Sequence, residues 1–573
     1  MANLVTPVNH LTPIEERIIE FKGLNRRTVV DDGEMSDMLN LTSDNYPLLT
    51  SRRPRGEYPM PEGAKRPIQL LTRLGKLAMV AIDDDDNVSF FFDGRKISDV
   101  ENLSTSTRAV VINTKICFFP EKMCIDVYQN EQGIQIENYR SLEASETVTA
   151  ASVTISRDST KVTLPSADHG FKADDAITIR GALEYNGTTQ NVDISCIVDS
   201  IENDTTLVLP QGTLLQVTAA GTTTATLTAD IERTMKDFDH IIEWNNRLWG
   251  ACNADNTIYA CKLGDPTNWQ YFQGTSMDSY YAQQGTDEAF TGVAEYSGHI
   301  IFFKPNSMCR IYGTAPSNYQ VTNTKCYGVE DGSRLSVVTV NDTVFYKSAI
   351  GIMAYDGGTP YCISDKFNSE FKYVVAGTEG QKYYASCLVS KNDTAHSELM
   401  VLDIDKAMWH KEDSTRFSTC CTVDNRLYFG YALGNLLYCG DNVFPDEYLM
   451  CGTEDVEGSV KIANPRKPTE SYEDIHWMAV FGPFDEYLEE HKIYSKLALR
   501  LKANGPSTAR IYISIDEGEW ELVEEYNEVS TKGDFIPIIP RRCDRYSVKV
   551  EGTGNCEMKS LTRRVRRGSF GRL

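Results

Sequence analysis

The sequence predicts an all-β protein: a β-propeller of about seven blades, a small β-barrel or sandwich inserted in it, and a C-terminal β-sandwich. Tyrosine and phenylalanine occur 29 and 22 times among 573 residues, and aromatic side chains favour strands. Helical periodicity is confined to one short segment. Short apolar runs bounded by Gly, Asn and Asp recur elsewhere, a pattern typical of strands joined by tight turns.

The first predicted element, residues 1–59, is an N-terminal arm. Its stretch PIEERIIEFKGL is the best helix candidate, because Ile14, Ile18 and Ile19 fall near helical spacing. The N-terminus lacks a basic region followed by an apolar core, so we expect no signal peptide. We also expect no membrane span, since no apolar run reaches the roughly 18 residues that one requires.

Propeller blades are predicted for residues 60–141 and 229–458. A unit of turn, strand, turn and strand recurs there, and two upstream stretches, 76–98 and 108–129, fit the same unit. The first turns of the five later units are 52, 44, 51 and 32 residues apart; they fall at Asn245, Ser297, Asn341, Asn392 and Asp424. Their mean spacing is near the roughly 40–50 residues of a propeller blade. Radial blades leave few exposed sheet edges.

Residues 142–228 interrupt the blades. They are rich in Thr and Val, contain no Trp, and alternate clearly at Val162-Thr163-Leu164 and Ile177-Thr178-Ile179. This composition predicts an inserted small β-domain.

The last predicted domain is a β-sandwich at residues 459–560. Leu497, Leu499 and Leu501 would face one side of a strand. The sequences NGP (504–506) and DEG (516–518) supply turns. A basic tail follows at 561–573.

No constellation of residues points to catalysis, so we predict no enzyme, no cofactor and no metal site. The eight histidines lack metal-ligand spacing. The run Asp83–Asp86 is either a solvated hairpin turn or a weak Ca²⁺ site, since it lacks the Gly and Glu of an EF-hand loop. The carboxylates of Glu519 with Glu521 and of Glu524 with Glu525 are either solvated strand residues or the acid/base pair of a propeller glycosidase.

Other chemically distinctive side chains have packing explanations. Trp249, Trp269 and Trp409 either pack between blades or stack on sugars. The 15 cysteines form no CxxC pair, and we expect reduced thiols packed as small apolar residues.

The formal net charge of −24 excludes non-specific DNA binding, which depends on cations that neutralise phosphates. An acidic surface could still contain or guide DNA by repulsion.

Two arginine clusters stand out on this acidic chain. Arg52, Arg53 and Arg55 flank Pro54, which favours an extended backbone at Arg53. Such an arm either pairs with acidic patches on a neighbouring copy or is an ordinary solvated loop.

The second cluster is the basic tail, which alternates arginines with apolar side chains. Apolar anchors serve a protein partner better than DNA phosphates, which need only cations, although a DNA contact is the alternative. The interface candidates in this tail are Arg563, Arg564, Arg566, Arg567 and Phe570, followed by Arg572.

Two segments carry a resemblance to a known family. The first is FKGLNRRTVVDDGEMSDMLNLTSDNYPLLTSRRPRG (21–56), with Phe21, Gly23, Gly33, Asn40 and the arginine–proline cluster as matching elements. The second is KIYSKLALRLKANGPSTARIYISIDEGEWELV (492–523) with IPIIPRRCDRYSVKVEGTG (536–554). Both resemble the β-propeller tail-nozzle, head-completion or stabilisation proteins of bacteriophages and prophages.

The resemblance implies a structural virion protein that forms a ring, usually a hexamer, below the portal and adaptor proteins. Such a ring walls the DNA channel, retains packaged DNA and conducts it during ejection. A hexamer would carry about −144 (six times −24), so DNA would pass without specific binding. The resemblance implies a place in the virion tail or neck, with assembly in the host cytoplasm. The alternative is a distal tail-tip protein that contacts host-surface glycans.

Overall fold

The computed structural model describes residues 13–58, 60–217, 221–367, 371–390, 393–423, 425–431, 434, 436–439, 475–486, 491–527 and 532–567. They form two compact units. One comprises Met1–Met60, Phe345–Tyr355 and Pro360–Leu573, and the other comprises Pro61–Val344 and Asp356–Thr359. Within these ranges, no helix has the length and apolarity to cross a bilayer. Short 3₁₀ turns occur at Pro316–Asn318 and Arg334–Ser336.

Seven four-stranded sheets are the blades of a β-propeller, as the sequence predicts. Blade 1 contains β7 (Ala64–Arg73), β8 (Lys76–Asp83), β9 (Val88–Phe92) and β10 (Arg95–Lys96). Blade 2 contains β11 (Arg108–Ile112), β12 (Lys115–Phe119), β13 (Met123–Asn130) and β14 (Gly133–Ser141). Blade 3 contains β22 (His240–Trp244), β23 (Arg247–Cys252), β24 (Thr257–Ala260) and β25 (Tyr280–Gln283). Blade 4 contains β26 (Gly292–Tyr296), β27 (His299–Lys304), β28 (Ser307–Tyr312) and β29 (Gln320–Lys325).

The remaining blades follow in chain order, except for one strand. Blade 5 contains β30 (Val338–Val340), β31 (Thr343–Ser348), β32 (Gly351–Tyr355) and β33 (Tyr361–Cys362). Blade 6 contains β34 (Lys372–Glu379), β35 (Lys382–Ser390), β36 (Asp393–Asp403) and β37 (Met408–Lys411). Blade 7 contains β38 (Phe417–Val423), β39 (Arg426–Tyr431), β40 (Leu436–Tyr438) and β6 (Gly56–Tyr58). The last blade is thus completed by a strand from the N-terminal arm, with Leu436 opposite Tyr58.

The three predicted first turns in the described part of the chain are turns between the first and second strands of their blades. Asn245, Ser297 and Asn341 adopt left-handed φ angles of 51°, 36° and 51°, which Asn tolerates well. In blade 6, the predicted unit at 390–409 supplies the third and fourth strands, β36 and β37, whereas the units of blades 3 to 5 supply the second and third strands. The first turn there is at Gly380, 39 residues after Asn341 (380 − 341). Asn392 and Asp424 themselves lie outside the described residues.

Apolar clusters fill the space between neighbouring blades. Ile116 and Phe118 pack with blade 1, and Trp249 packs with blade 4. The prediction that the tryptophans pack between strands is confirmed, because Trp249, Trp269 and Trp409 are all buried. The 14 cysteines in the described part of the chain are unpaired.

A seven-stranded sheet lies between blades 2 and 3, where the sequence predicts an inserted domain. Its strands, in chain order, are β15 (Ala144–Ser156), β16 (Ser159–Thr163), β17 (Ala176–Tyr185), β18 (Thr188–Ile197), β19 (Ser200–Asn203), β20 (Thr206–Pro210) and β21 (Thr222–Arg233). The predicted alternation is observed, since Val162, Ile177 and Ile179 point into its core. The sheet curls on itself, since its end strand β18 lies against β20, the strand next to the other end, and its inward side chains form a core of their own.

The C-terminal strands form a ten-stranded curled sheet together with the N-terminal arm. The N-terminal strands are β1 (Ile14–Ile18), β2 (Gly23–Leu24), β3 (Glu34–Leu39), β4 (Leu41–Thr42) and β5 (Leu49–Ser51). The C-terminal strands are β41 (His476–Phe484), β42 (Lys492–Ile515), β43 (Glu521–Tyr526), β44 (Lys532–Cys543) and β45 (Tyr546–Arg567). Residues 459–474, the start of the predicted sandwich, lie outside the described part of the chain.

Two local predictions fail in this sheet. The predicted helix is strand β1, because Ile14 to Ile18 pair with Val565 to Leu561 of β45. Tertiary pairing overrides the weak helical periodicity. The NGP sequence is not a hairpin turn: β42 continues through it, with a shift in its pairing to β45 between Asn504 and Thr508. The predicted DEG turn is present, with positive φ at Asp516 and Glu517.

Candidate functional site

The N-terminal arm joins the curled sheet to blades 6 and 7. Phe21 is fully buried against Phe481 of β41, with ring centroids 5.8 Å apart. Gly23 has φ of +84°, and a Cβ there would lie 2.3 Å from the carbonyl oxygen of Trp409 in β37. Only glycine fits this approach. The arm therefore covers β37, the edge strand of blade 6.

Hydrogen bonds and ion pairs hold the arm in place. The Asn40 amide donates to the carbonyl of His476 at 2.8 Å and its Oδ1 accepts from Arg52 Nε at 2.7 Å. Arg26 makes a bidentate pair with Glu398 of β36 at 2.7 and 2.8 Å. Lys411 of β37 contacts Asp37 at 2.7 Å. The residues that carry the family resemblance thus form a joint within one chain.

Arg52 and Arg55 are buried at this joint, with 3% and 6% exposure. Arg55 contacts Glu412 at 2.5 Å and Asp413 at 2.7 Å. Arg52 contacts Asp413 at 3.4 Å. Burial alone would lower the pKa of Arg55, but the charges of Asp413 and Glu412 raise it well above its usual value. Burial would likewise raise the pKa of Asp413, and Arg55 and Arg52 instead hold it well below its usual range.

A cavity of about 800 Å³ opens beside these arginines. Its lining is charged, and several of the charges are paired: Arg53 contacts Asp44 at 3.4 Å, and Lys382 contacts the same carboxylate. Burial raises the pKa of Glu379, although the Tyr384 hydroxyl donates a 2.9 Å hydrogen bond to it. The contact of Lys382 with Asp44 links the arm to blade 6.

The described part of the basic tail, residues 561–567, belongs to strand β45 of the curled sheet. Arg563 is 3% exposed and contacts Asp32 at 2.8 Å and Glu486 at 2.7 Å. Its guanidinium also lies 4.1 Å from the ring centroid of Phe484. Burial would lower the pKa of Arg563, but the hydrogen bonds that its guanidinium donates to Glu486 and Asp32 raise it. This arginine therefore locks β45 to the arm and to the end of β41.

The predicted interface residues divide into two groups. Arg52, Arg55 and Arg563 are committed to carboxylates of their own chain, a geometry that does not favour contacts to a neighbouring copy. Arg53, with 48% side-chain exposure, and Arg566, which is exposed on β45, remain accessible. Arg564 and Arg567 lie on β45 opposite Lys496 and Lys492. Phe570 and Arg572 lie outside the described residues. An interface role for this set stays a prediction.

The run Asp83–Asp86 forms the turn between β8 and β9. One carboxylate oxygen of Asp83 accepts the backbone N–H groups of Asp85 at 3.1 Å and Asn87 at 2.8 Å. The other accepts from Ser89 and Lys96, each at 2.8 Å. The hydrogen bond from Lys96 is the main reason that the pKa of Asp83 is lowered to about 2. Nowhere in the described ranges do three His, Cys, Asp or Glu side chains gather to hold a metal.

The paired carboxylates lie near β43, an end strand of the curled sheet. Glu519 is exposed, and Glu521 and Glu525 make ion pairs with Arg541 at 2.6 Å and Arg510 at 2.9 Å. Solvated ion pairs on an exposed strand describe these groups well.

Sequence reasoning missed the partners of the arginines. Glu412 and Asp413 follow β37 in WHKEDSTRF, and Glu486 follows β41. Nothing in their local sequence distinguishes them from other surface carboxylates. The signal that the sequence offered for these ion pairs was the concentration of arginine at Arg52, Arg53 and Arg55.

Comparisons with known proteins give only weak structural likenesses. No protein-family model matches the chain, and no curated protein matches it. Among solved structures, the chain is similar to BamB from Moraxella catarrhalis at 10% identity, with 68% of this chain and 97% of that chain covered and a TM-score of 0.32. It is similar to apo AztD from Citrobacter koseri at 10% identity, with 65% and 84% covered and a TM-score of 0.25. It is also similar to an exo-β-1,3-galactanase from Phanerochaete chrysosporium at 8% identity, with 56% and 94% covered and a TM-score of 0.21. Overlaps this weak say nothing about function.

Proposed function

We propose that this chain is a structural protein of a bacteriophage virion. It forms a ring, with six copies as the expected number, in the tail or neck, where it walls the DNA channel, retains packaged DNA and conducts it during ejection. One observation supports this most: the two segments that resemble tail-nozzle proteins contribute strands to a single sheet. Strands β3 and β5 of the first segment and strands β42 and β45 of the second belong to that sheet, and β5 pairs with β45 just past the second segment, at Glu557 and Met558.

The convergence matters because the two segments are more than 430 positions apart (492 − 56 = 436). A chance likeness in two short stretches would not require them to be neighbours in space. The buried pairs of Arg52, Arg55 and Arg563 make this module rigid, as the wall of a channel must be. The charge of −24 suits a conduit for DNA, since like charge opposes adhesion of phosphates.

The proposed role is not catalytic. Supporting this, Glu521 and Glu525, two of the carboxylates considered for a glycosidase, are exposed and ion-paired, and Arg55 beside the charged cavity is paired with Glu412 and Asp413. An acid/base pair for glycoside cleavage instead needs environments that push two carboxyl pKa values apart.

The decisive experiment places the protein in the particle. An affinity tag is fused to the protein in the phage or prophage genome, and purified particles are imaged by cryo-electron microscopy with gold bound to the tag. We expect label at the junction of head and tail, on a ring with six-fold repetition. Label at the distal tip would favour the glycan-binding alternative, and particles that lack the protein would refute a virion role.

A second experiment tests the accessible arginines as contacts between copies. Arg53→Glu and Arg566→Glu are expected to reduce incorporation into particles without changing the thermal midpoint of the purified chain. Arg95→Glu, on the short edge strand β10, is the matched control. Substitutions of Arg52 or Arg55 do not test contacts between copies, because they would leave buried carboxylates without cations and unfold the joint. Normal incorporation of both variants would argue against ring contacts through these side chains.

A further inference from the structure

A second cavity, of about 550 Å³, lies within the unit that holds blades 1 to 4. It is walled by the first strands of four consecutive blades, β7, β11, β22 and β26, which lie side by side. The 3₁₀ turn Arg334–Ser336 covers one side. A cavity of this volume is within the range that binds small organic molecules.

Two arginines face this cavity without a carboxylate partner. Arg108 begins β11 and donates one hydrogen bond, to the carbonyl of Thr107 at 2.7 Å. Arg334 begins the 3₁₀ turn. In the described part of the chain, neither guanidinium has a carboxylate oxygen within 4 Å. This contrasts with Arg52, Arg55 and Arg563, each of which contacts at least one carboxylate.

The two positively charged guanidinium groups lie in an environment that disfavours their charged forms. Both residues are half-buried. Burial, followed by the charge of Arg334, lowers the pKa of Arg108 to about 10, and burial lowers that of Arg334. Retaining two like charges in a shielded space is costly unless an anion neutralises them.

The other titratable groups of the cavity do not neutralise these arginines. Asp237 contacts Lys122 at 2.8 Å. Asp239 accepts the backbone N–H of Asn253 at 2.7 Å. His240 contacts the carbonyl of Phe290 through Nε2 at 2.9 Å, and burial, together with Arg334, lowers its pKa.

Most of the remaining lining is apolar and includes Val110, Phe119, Phe238, Ile241, Val293 and Leu335. Gln69, Ser106 and Asn253 add uncharged polar side chains. A ligand that satisfies both parts of this lining has an oxyanion head and a compact apolar body. Guanidinium groups bind carboxylate and phosphate oxygens bidentately, and apolar walls remove the body from water.

We propose that this cavity is a binding site for a small organic oxyanion, a carboxylate or a phosphate ester, whose charged group lies between Arg108 and Arg334. The site goes beyond the proposed virion role and does not depend on it.

Isothermal titration of the full chain tests this with phenyl phosphate, benzoate and neutral phenol. These probes share a ring and differ in the head group. We expect saturable 1:1 binding of phenyl phosphate or benzoate with a dissociation constant below about 10 mM, as is usual for ligands this small. The tighter of the two identifies the preferred head group. Phenol is expected to bind at least about tenfold more weakly, because it cannot engage the guanidinium groups.

Variants separate a binding role from a structural one. Arg108→Met and Arg334→Met are each expected to weaken binding of the anionic probe about tenfold or more, whereas Arg95→Met leaves it unchanged. Without ligand, Arg334→Met should melt at the same temperature as the parent or higher, because the charge that it removes has no partner. No binding of either anion, equal binding of phenol, insensitivity to both substitutions, or a lower melting temperature for Arg334→Met would each overturn the proposal.

Discussion

Replacing Arg55 with methionine should loosen the joint between the arm and blades 6 and 7. The change keeps the side-chain length but removes the cation that Glu412 contacts at 2.5 Å and Asp413 at 2.7 Å. Removing one partner of a buried ion pair typically costs about 3–5 kcal/mol, because the remaining charge is left uncompensated. Asp413 is 24% exposed and keeps Arg52 at 3.4 Å. We therefore expect the lower end, about 3 kcal/mol.

Arg53→Met is the matched control, two residues away. Arg53 is 48% exposed and contacts Asp44 at 3.4 Å, and exposed pairs of this kind contribute about 0–1 kcal/mol. The measurement is hydrogen exchange by mass spectrometry on peptides that cover β5 and β6. A loss of about 3 kcal/mol corresponds to amide exchange about 100-fold faster in Arg55→Met, since 1.36 kcal/mol is tenfold. Arg53→Met should change the rate less than about fivefold.

The pH dependence provides a further check. Arg55 and Arg52 hold the pKa of the Asp413 carboxyl below its usual value. The stability that this pair contributes is therefore complete above the usual carboxyl pKa of about 4 and is lost as the pH falls below it. The difference in amide exchange rate between the parent and Arg55→Met should become smaller in acid. Equal exchange rates in the two variants at neutral pH, or a difference that grows in acid, would refute this reasoning.

Two other predictions concern the blades. Gly56→Ala should destabilise blade 7 by about 1–3 kcal/mol, as overpacking does, because a Cβ would lie 2.0 Å from the Tyr438 ring; thermal melting checks this against Gly285→Ala, where nothing lies within 4 Å, and equal melting temperatures would contradict it. Replacing residues 144–233 with a short Gly-Ser linker should leave the blades folded, because Ala144 and Arg233 are opposite each other in paired strands and the insert has its own core; loss of a cooperative melting transition would show that the insert is needed for folding.

Local patterns predicted those features that local forces determine. The alternation at Leu497, Leu499 and Leu501 gave the right buried face, and asparagine at 245 and 341 marked turns because it tolerates positive φ. Features that depend on pairing between strands far apart in the chain could not be predicted from local sequence. The helix predicted at Ile14 is a strand because Val565 lies opposite it. The repeat at Asn392 was assigned one strand out of phase, since one hairpin turn resembles another in sequence.

The candidate sites show the same division. The arginines at 52 and 55 were recognised as unusual, but their carboxylates follow more than 350 residues later (412 − 55 = 357). Arg108 and Arg334 lie in unremarkable local sequence, and the fold brings β11 and the 3₁₀ turn Arg334–Ser336 to the same cavity. Charge without a nearby partner in sequence indicates neither pairing nor binding until the fold is known.

Completion of blade 7 by β6 also constrains how the chain can be made. On a ribosome, Tyr58 is synthesised 378 residues before its partner Leu436 (436 − 58). At a synthesis rate of about 5–20 residues per second, roughly 20–75 s pass between the synthesis of Tyr58 and that of its partner. Throughout this interval its strands have unsatisfied edges, which are liable to pair with other nascent chains. Blade 7 can therefore close only after Leu436 has been synthesised, and β1 and β5 of the arm can enter the curled sheet only after β45 has been synthesised.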